Sequence, residues 1–457
     1  MENLNEILTK LKPQMVSSLQ DWIRTPSVKD EPQENAPFGS DLRKMLDKAL
    51  GLCERMGFET LDVDGYAGHA EMGTGSDEDA LAILVHLDVV PVGDGWTKEP
   101  FGGEIIDNAI YGRGVSDDKG PAVAALYAMY AVKQAGIPLK RKVRLIFGCD
   151  EESGMECMKY YKTKVTMPRT GFSPDASYPV INIEKGMLGL QLNARPSKEG
   201  LQVISWETGD RSNVIPGTSS ALVAADEEII PKVKEISEKY GFEASAQKES
   251  DGMRITVKGI AGHAAHPESA KNAIGGLLVL LKELGTEGPL KTLAEAVGLD
   301  YSGKGLGVAI EDSLSGKLTC NIGIIRVDAE RIYATLDMRC PMLTDRAYAL
   351  KLIKHHLPNF EIIKTTDRGP HFVPENSELV QKLLEAYHEI TGLEKKTLAI
   401  GGGTYAKMLE EGVAFGVSFP GDPDVAHQAD EHLDLDKLFD SMKIFAHAIV
   451  KLAAEDK

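Results

Sequence analysis

Four short stretches of this sequence gather residue types that carry acid–base or metal chemistry. His86-Leu87-Asp88 closes a run of apolar residues at 81–85. Tyr111-Gly112-Arg113-Gly114-Val115-Ser116-Asp117-Asp118-Lys119-Gly120-Pro121 puts two adjacent carboxylates in a glycine-rich turn. Cys149-Asp150-Glu151-Glu152-Ser153-Gly154 sets three consecutive acids behind a second apolar run, and Asp175 follows in Ser173-Pro174-Asp175-Ala176. Asp424-Val425-Ala426-His427-Gln428-Ala429-Asp430-Glu431 adds another histidine late in the chain. Taken singly, each stretch reads equally well as a polar strand end, a helix cap or a solvated turn. Together they supply two imidazoles and several carboxylates without thiolate, a donor set suited to zinc, manganese or cobalt. Two such ions sharing one carboxylate, with a further carboxylate beside the water, make a hydrolytic centre. His86 and Asp88 are two residues apart, so in an extended chain both point to one side and Asp88 can orient the ring of His86.

Other chemistries fit less well. Cys149 and Cys157 flank the acidic turn, but neighbouring carboxylates raise a thiol's pKa, the wrong direction for a nucleophile. The glycine runs at 112–120 and 401–403 match neither G-x-G-x-x-G nor a phosphate-binding loop.

Something must hold these groups together, and the chain is long enough to do so. It has 457 residues, 42% hydrophobic and 26% charged, as expected of a folded chain of more than one domain. The net charge of −18 opposes binding to nucleic acid and to anionic membranes. Five cysteines with no CxxC pair exclude a disulfide scaffold and favour a reducing compartment, so a cytoplasmic location is expected. The polar, acidic start Met1-Glu2-Asn3-Leu4-Asn5-Glu6 lacks the character of a signal peptide, and no apolar stretch reaches membrane-spanning length.

Helical spacing of apolar residues predicts helices at 4–24, 42–56, 121–133, 377–391 and 433–454. Short apolar runs predict strands at 81–85, 142–148, 396–400 and 413–419, with a helix after Gly401-Gly402-Gly403-Thr404. This alternation is the grammar of an α/β domain with a partly parallel sheet, and ligands there gather at the carboxyl ends of strands. The middle differs. Stretches at 188–192, 253–257 and 331–339 alternate like strands with one wet face, separated by helices at 228–240, 270–284 and 343–355. The expected organisation is a catalytic α/β domain in two pieces, 1–185 and 377–457, with an inserted α+β domain at 186–376.

At this point the motifs resemble the M20 family of metallopeptidases, and within it the PepV-type dipeptidases. His86-Leu87-Asp88-Val89-Val90-Pro91 with Gly95-Trp96, the 112–120 segment, and Asp150-Glu151-Glu152-Ser153-Gly154 match the family's three metal motifs in order and context. The resemblance implies a mixed-sheet, di-metal catalytic domain with an enlarged lid. It implies that Asp117 bridges two ions, that His86 and Asp175 complete one, and that Glu152 and His427 complete the other. Glu151 would be the general base and Asp88 would orient His86. A cis peptide is expected at Asp117-Asp118. Within Gly262-His263-Ala264-Ala265-His266-Pro267 the matching position is His263, which would stabilise the oxyanion across the domain gap. Asn213 and Arg339 would hold the substrate carboxylate, an Arg fork being suited to that task. Gly402 and Gly403, at a helix start, would add backbone N–H groups.

The implied reaction is attack of a metal-activated water on a peptide carbonyl, Glu151 taking the proton and passing it to the leaving amine. Lid closure would exclude water. The implied substrates are unblocked L-dipeptides, including β-alanyl dipeptides. Zinc is favoured by affinity over manganese, with manganese or cobalt as alternatives. A monomer is expected, because the enlarged lid copies within one chain a dimer seen in relatives; a homodimer is the alternative. Two other readings stay open: a deacylase or carboxypeptidase of the same family acting on N-blocked amino acids, and a non-catalytic small-peptide binding protein.

Overall fold

The computed structural model describes residues 2–455; Met1 and the last two residues, at the extremes of the expected catalytic pieces, lie outside the described residues. The chain divides into two compact units. One comprises residues 1–182, 372–398 and 403–457; the other comprises 183–371 and 399–402.

The first unit is a mixed α/β layer structure. Its sheet runs Glu59–Val63, Ala67–Met72, Val143–Gly148, Leu81–His86, Thr170–Ser173, Glu411–Ala414, Val180–Glu184. Leu81–His86 pairs in parallel with both Val143–Gly148 and Thr170–Ser173, which in turn pairs in parallel with Glu411–Ala414. The outer pairs are antiparallel. Leu81–His86 and Val143–Gly148 are buried along their whole length, which explains their unbroken apolar character. Helices Glu2–Ile23, Lys119–Gln134, Glu378–Thr391 and Leu435–Ala453 cover the sheet with Leu, Met, Ala and Phe side chains. Ser377 and Asp434 cap the last two by accepting from backbone N–H groups one turn in, which sets where each begins.

The second unit is an eight-stranded antiparallel sheet. Its order is Glu243–Glu249, Gly252–Lys258, Thr218–Val223, Val203–Thr208, Thr319–Val327, Ile332–Cys340, Gly186–Ala194, Glu361–Arg368. Leu188, Leu190 and Leu192, with Met253, Ile255 and Val257, alternate into a core shared with helices Ile229–Tyr240, Ala273–Glu283, Pro289–Ala296 and Arg346–His356.

Three expectations are corrected. The 413–419 stretch is two strands, Glu411–Ala414 and Val417–Ser418, separated at Phe415 and Gly416, where the chain changes sheet partner. Gly401-Gly402-Gly403 leads not into an α-helix but into a four-residue 3₁₀ turn, Tyr405–Met408, whose start is set by the Thr404 hydroxyl accepting from the N–H of Ala406. A turn this short has no helix dipole to offer, so Gly402 and Gly403 do not form the expected anion-binding helix start. Finally, Ile332–Cys340 has no wet face. Its polar side holds Asp337 and Arg339, which pair with each other and are buried.

Among the described residues no helix is long and apolar enough to cross a membrane.

Candidate metal centre

The carboxyl ends of three parallel strands converge in the first unit. His86 is the last residue of Leu81–His86, Gly148 ends its neighbour just before the acidic turn, and Asp175 lies two residues past Thr170–Ser173. Gly148 is required there: a Cβ would sit 2.1 Å from the Tyr405 hydroxyl.

His86 is buried and its ring is oriented from behind. Nδ1–H donates to the main-chain carbonyl of Asp88 at 2.9 Å, which leaves Nε2 to face Asp117 Oδ1 at 2.8 Å and Asp175 Oδ2 at 3.7 Å. The Asp88 carboxylate is 3.5 Å from Nδ1, but its hydrogen bonds come from elsewhere: it accepts from the N–H groups of Glu151 and Glu152 at 3.1 and 3.0 Å. Asp88 therefore orients His86 largely through its carbonyl, while its side chain fixes the acidic turn. Asp150, also buried, completes that turn by accepting from the N–H of Glu156 and from Ser153 and Lys29.

Asp117 sits between two imidazoles. Its Oδ2 is 3.0 Å from His427 Nε2, which is also 2.8 Å from Glu152 Oε1. His427 adopts a positive φ of 62°, a region that few residues other than glycine enter. The peptide between Asp117 and Asp118 is cis. Asp118 is buried and points the other way, accepting from the N–H of His86 at 3.0 Å.

Two overlapping groups of side chains have ligand atoms close enough for one ion each: His86, Glu151 and Asp175, and His86, Asp117 and Glu152. Electrostatics agree with a centre built for cations. Burial, reinforced by Glu152, Asp88 and Asp117, pushes the Glu151 carboxyl up to about 8 against the pull of His86. Burial and Asp117 likewise raise Asp175. Burial lowers a histidine's pKa, yet here the hydrogen bonds to Asp117 and Glu152 prevail and push His427 up to about 10; His86 is raised by Asp117 and Asp88. The same two imidazoles hold Asp117 well below the usual carboxylate range despite its burial. A cluster of negative charge this dense, held in the metal-free chain by protons on its imidazoles, is what a pair of divalent cations would replace.

Cys149 and Cys157 are buried, and burial pushes Cys157 up to about 12 and Cys149 well above its ordinary value, so neither is a thiolate nucleophile.

His263, Asn213 and Arg339, expected to contact substrate, lie in the second unit. His263 is exposed on the short strand Gly262–His263, paired with Val214–Ile215, and its Nδ1 accepts from the N–H of Ala265 at 3.2 Å. That bond places the ring proton on Nε2. Asn213 accepts from the N–H of Ala264 through its carbonyl and lines a cavity of about 430 Å³ with Arg211, Tyr333, Thr335 and Asp337. Arg339 differs from expectation. Its Nε and Nη2 grip Asp337 at 2.6 and 3.1 Å, and Nη1 donates to the carbonyl of Gly401 at 2.6 Å. The edge of the fork best suited to a carboxylate already holds one.

Glu431 ends the fourth acidic stretch of the sequence. In the structure it is fully buried, and its carboxylate accepts from the N–H groups of Ser116 and Asp117. The signal in the sequence was its place four residues after His427, but nothing there shows which amides it meets.

The chain as a whole is similar to known proteins. A relative from Bacillus subtilis (strain 168), named "Putative dipeptidase YtjP", is 36% identical over 461 residues, covering 98% of this chain and 99% of that protein. "Putative dipeptidase SH1171" from Staphylococcus haemolyticus (strain JCSC1435) is 33% identical over 472 residues, covering 98% and 99%. The fold matches human carnosine dipeptidase 1 with a TM-score of 0.60 at 16% identity over 99% of both chains. It matches the di-peptidase Dug1p from Saccharomyces cerevisiae with a TM-score of 0.62 at 15% identity, over 99% of this chain and 98% of that one. The family model for peptidase family M20/M25/M40 matches residues 82–451, and with that match the chain belongs to this family of hydrolases.

Proposed function

We propose that the chain is a metal-dependent dipeptidase of the PepV type, hydrolysing unblocked L-dipeptides, β-alanyl dipeptides among them. The observation that carries this reading is the Asp117 carboxylate, whose two oxygens face the Nε2 atoms of two different histidines. The relatives from Bacillus and Staphylococcus carry the word dipeptidase in their names, which supports a dipeptide as the class of substrate.

The residues present fit two divalent ions. The donors are imidazole and carboxylate, and Glu151 Oε1 is a buried polar atom without a partner. In this reading Asp117 is shared, His86 and Asp175 hold one ion, and Glu152 and His427 hold the other; zinc is favoured over manganese and cobalt. When bound, such ions acidify water and polarise a carbonyl. Glu151 then accepts the proton from the attacking water and returns it to the departing amine. His263, with its proton on Nε2, is assigned as the N–H donor to the developing oxyanion. Asn213 and the Nη1–Nη2 end of Arg339 are assigned to the substrate carboxylate. Residues 186–376 are thus proposed to supply the substrate and oxyanion contacts, while 1–185 and 377–457 supply the metal ligands and the base. The protein is proposed to work as a cytoplasmic monomer, which light scattering tests.

The experiment is product release, by chromatography, from free L-dipeptides, β-alanyl dipeptides, tripeptides and N-acetyl amino acids, using protein stripped of metal and then restored with zinc or manganese. Metal-dependent cleavage of the free dipeptides supports the proposal. Cleavage of the N-acetyl compounds alone moves the chain to the deacylase branch, and no turnover with either ion overturns the reading.

A further inference from the structure

The 112–117 segment wraps around one buried side chain. Strand His432–Asp434 pairs with Ala109–Tyr111, and the N–H of Gly112 donates to the main-chain carbonyl of Glu431 at 2.9 Å, extending that ladder by one step. Beyond it the segment leaves the sheet and turns about the Glu431 carboxylate. Oε1 accepts from the N–H groups of Gly114 at 3.1 Å, Ser116 at 2.9 Å and Asp117 at 3.3 Å, and Oε2 accepts from Arg113 Nη1 at 2.7 Å. Gly114 makes the turn possible: its φ is +89°, and a Cβ would lie 2.7 Å from a methyl of Val89.

The same guanidinium reaches the other side of the centre. Arg113 Nη1 also donates to the carbonyl of Gln428, next to His427, while Nη2 donates to the carbonyl of Val92 and the group lies 5.2 Å from the centre of the Trp96 ring. Burying a carboxylate is costly unless its lone pairs are satisfied. Here they are satisfied by the amides that lead into Asp117 and by a cation tied to the His427 loop. A carboxylate serving only the packing of the unit would have no reason to collect these particular amides.

We propose that Glu431 is a positioning residue for the metal centre: it fixes the 112–117 segment so that the Asp117 carboxylate stands in its shared pose before any ion arrives. The inference rests on the two-ion reading of the centre. Groups that orient metal ligands in this way are worth about 10- to 100-fold in metal affinity.

Two measurements test it. In the first, amide hydrogen exchange is followed in the native chain with and without zinc. The amides of Gly114, Ser116 and Asp117 are expected to be protected already in the metal-free protein. If they exchange freely there and gain protection only with zinc, the ions order the segment and the proposal fails. In the second, zinc affinity of Glu431→Gln is measured by competition with a chromophoric chelator, alongside the visible absorption of the cobalt-loaded protein. The variant is expected to keep a cooperative melt, to bind zinc about 10- to 100-fold more weakly, and to show altered cobalt bands. Native affinity and an unchanged cobalt spectrum would overturn the proposal. Should the variant not fold, the exchange experiment on the native chain decides alone. If the native chain itself takes up no zinc, it is the two-ion reading that has failed.

Discussion

His86 and His427 present their Nε2 atoms to opposite oxygens of one carboxylate, at 2.8 Å from Asp117 Oδ1 and 3.0 Å from Asp117 Oδ2. The two histidines come from a strand end and from a loop more than three hundred residues later, and only the fold brings them to one acid. This shared carboxylate is the basis of the account, and the predictions follow from what surrounds it.

Glu151 is assigned as base, yet it also lies within reach of an ion held by His86 and Asp175. Glu151→Gln separates the two roles. As base, its loss lowers kcat by about 10²- to 10⁴-fold while zinc stoichiometry and binding of a non-cleaved dipeptide analogue stay native. If the substitution instead removes an ion, Glu151 is a ligand and the base must be sought elsewhere.

Metal uptake is expected to release protons. Asp117 and Glu152 push His427 up to about 10, so at pH 7 its imidazole is cationic in the metal-free chain, and Asp117 and Asp88 likewise favour the added proton on His86. Each must lose it to become a ligand. Zinc affinity therefore falls as pH falls, and protons leave on loading, from the imidazoles and from the raised carboxyls of Glu151 and Asp175. Titration calorimetry in buffers of different ionisation enthalpy measures their number. Uptake without proton release would contradict the assignment of both histidines.

The second unit supplies a contrast between catalysis and stability. His263→Ala is expected to lower kcat about 10²- to 10³-fold with metal content and melting temperature unchanged, since the side chain is exposed. An unchanged kcat would remove His263 from the mechanism.

Arg339 behaves differently. It and Asp337 are both buried and gripped together, so Arg339→Ala leaves an uncompensated carboxylate and is expected to cost about 3 to 5 kcal/mol of stability. Replacing both, Arg339→Leu with Asp337→Leu, should recover most of that loss in a denaturant melt. Native stability of the single variant would show that the pair is not what holds this strand.

The legible parts of the chain were those where chemistry restricts residue type. The imidazoles and carboxylates at strand ends and in glycine-rich loops single out His86, Asp117, Glu152, Asp175 and His427, which the structure brings together, and the continuous burial of Leu81–His86 is written in its apolar run. What was not legible depends on the direction of main-chain groups. Whether the Asp88 carboxylate faces a ring or two amides, or which N–H groups Glu431 collects, is decided by loop geometry that residue type does not encode. The three glycines at 401–403 read as a helix entrance because their neighbours permit one; the hydroxyl of Thr404 closes a shorter turn instead. Arg339 read as an open fork because its partner lies two residues away on the same face of a strand, a spacing that serves a substrate site and an internal pair equally well.

The most direct test of the shared carboxylate is anomalous diffraction at the zinc edge from crystals of the zinc-loaded chain. The account predicts two peaks, each about 2.0 to 2.2 Å from a different oxygen of Asp117, one beside His86 and the other beside His427. A single peak, or two peaks neither of which touches Asp117, would contradict it.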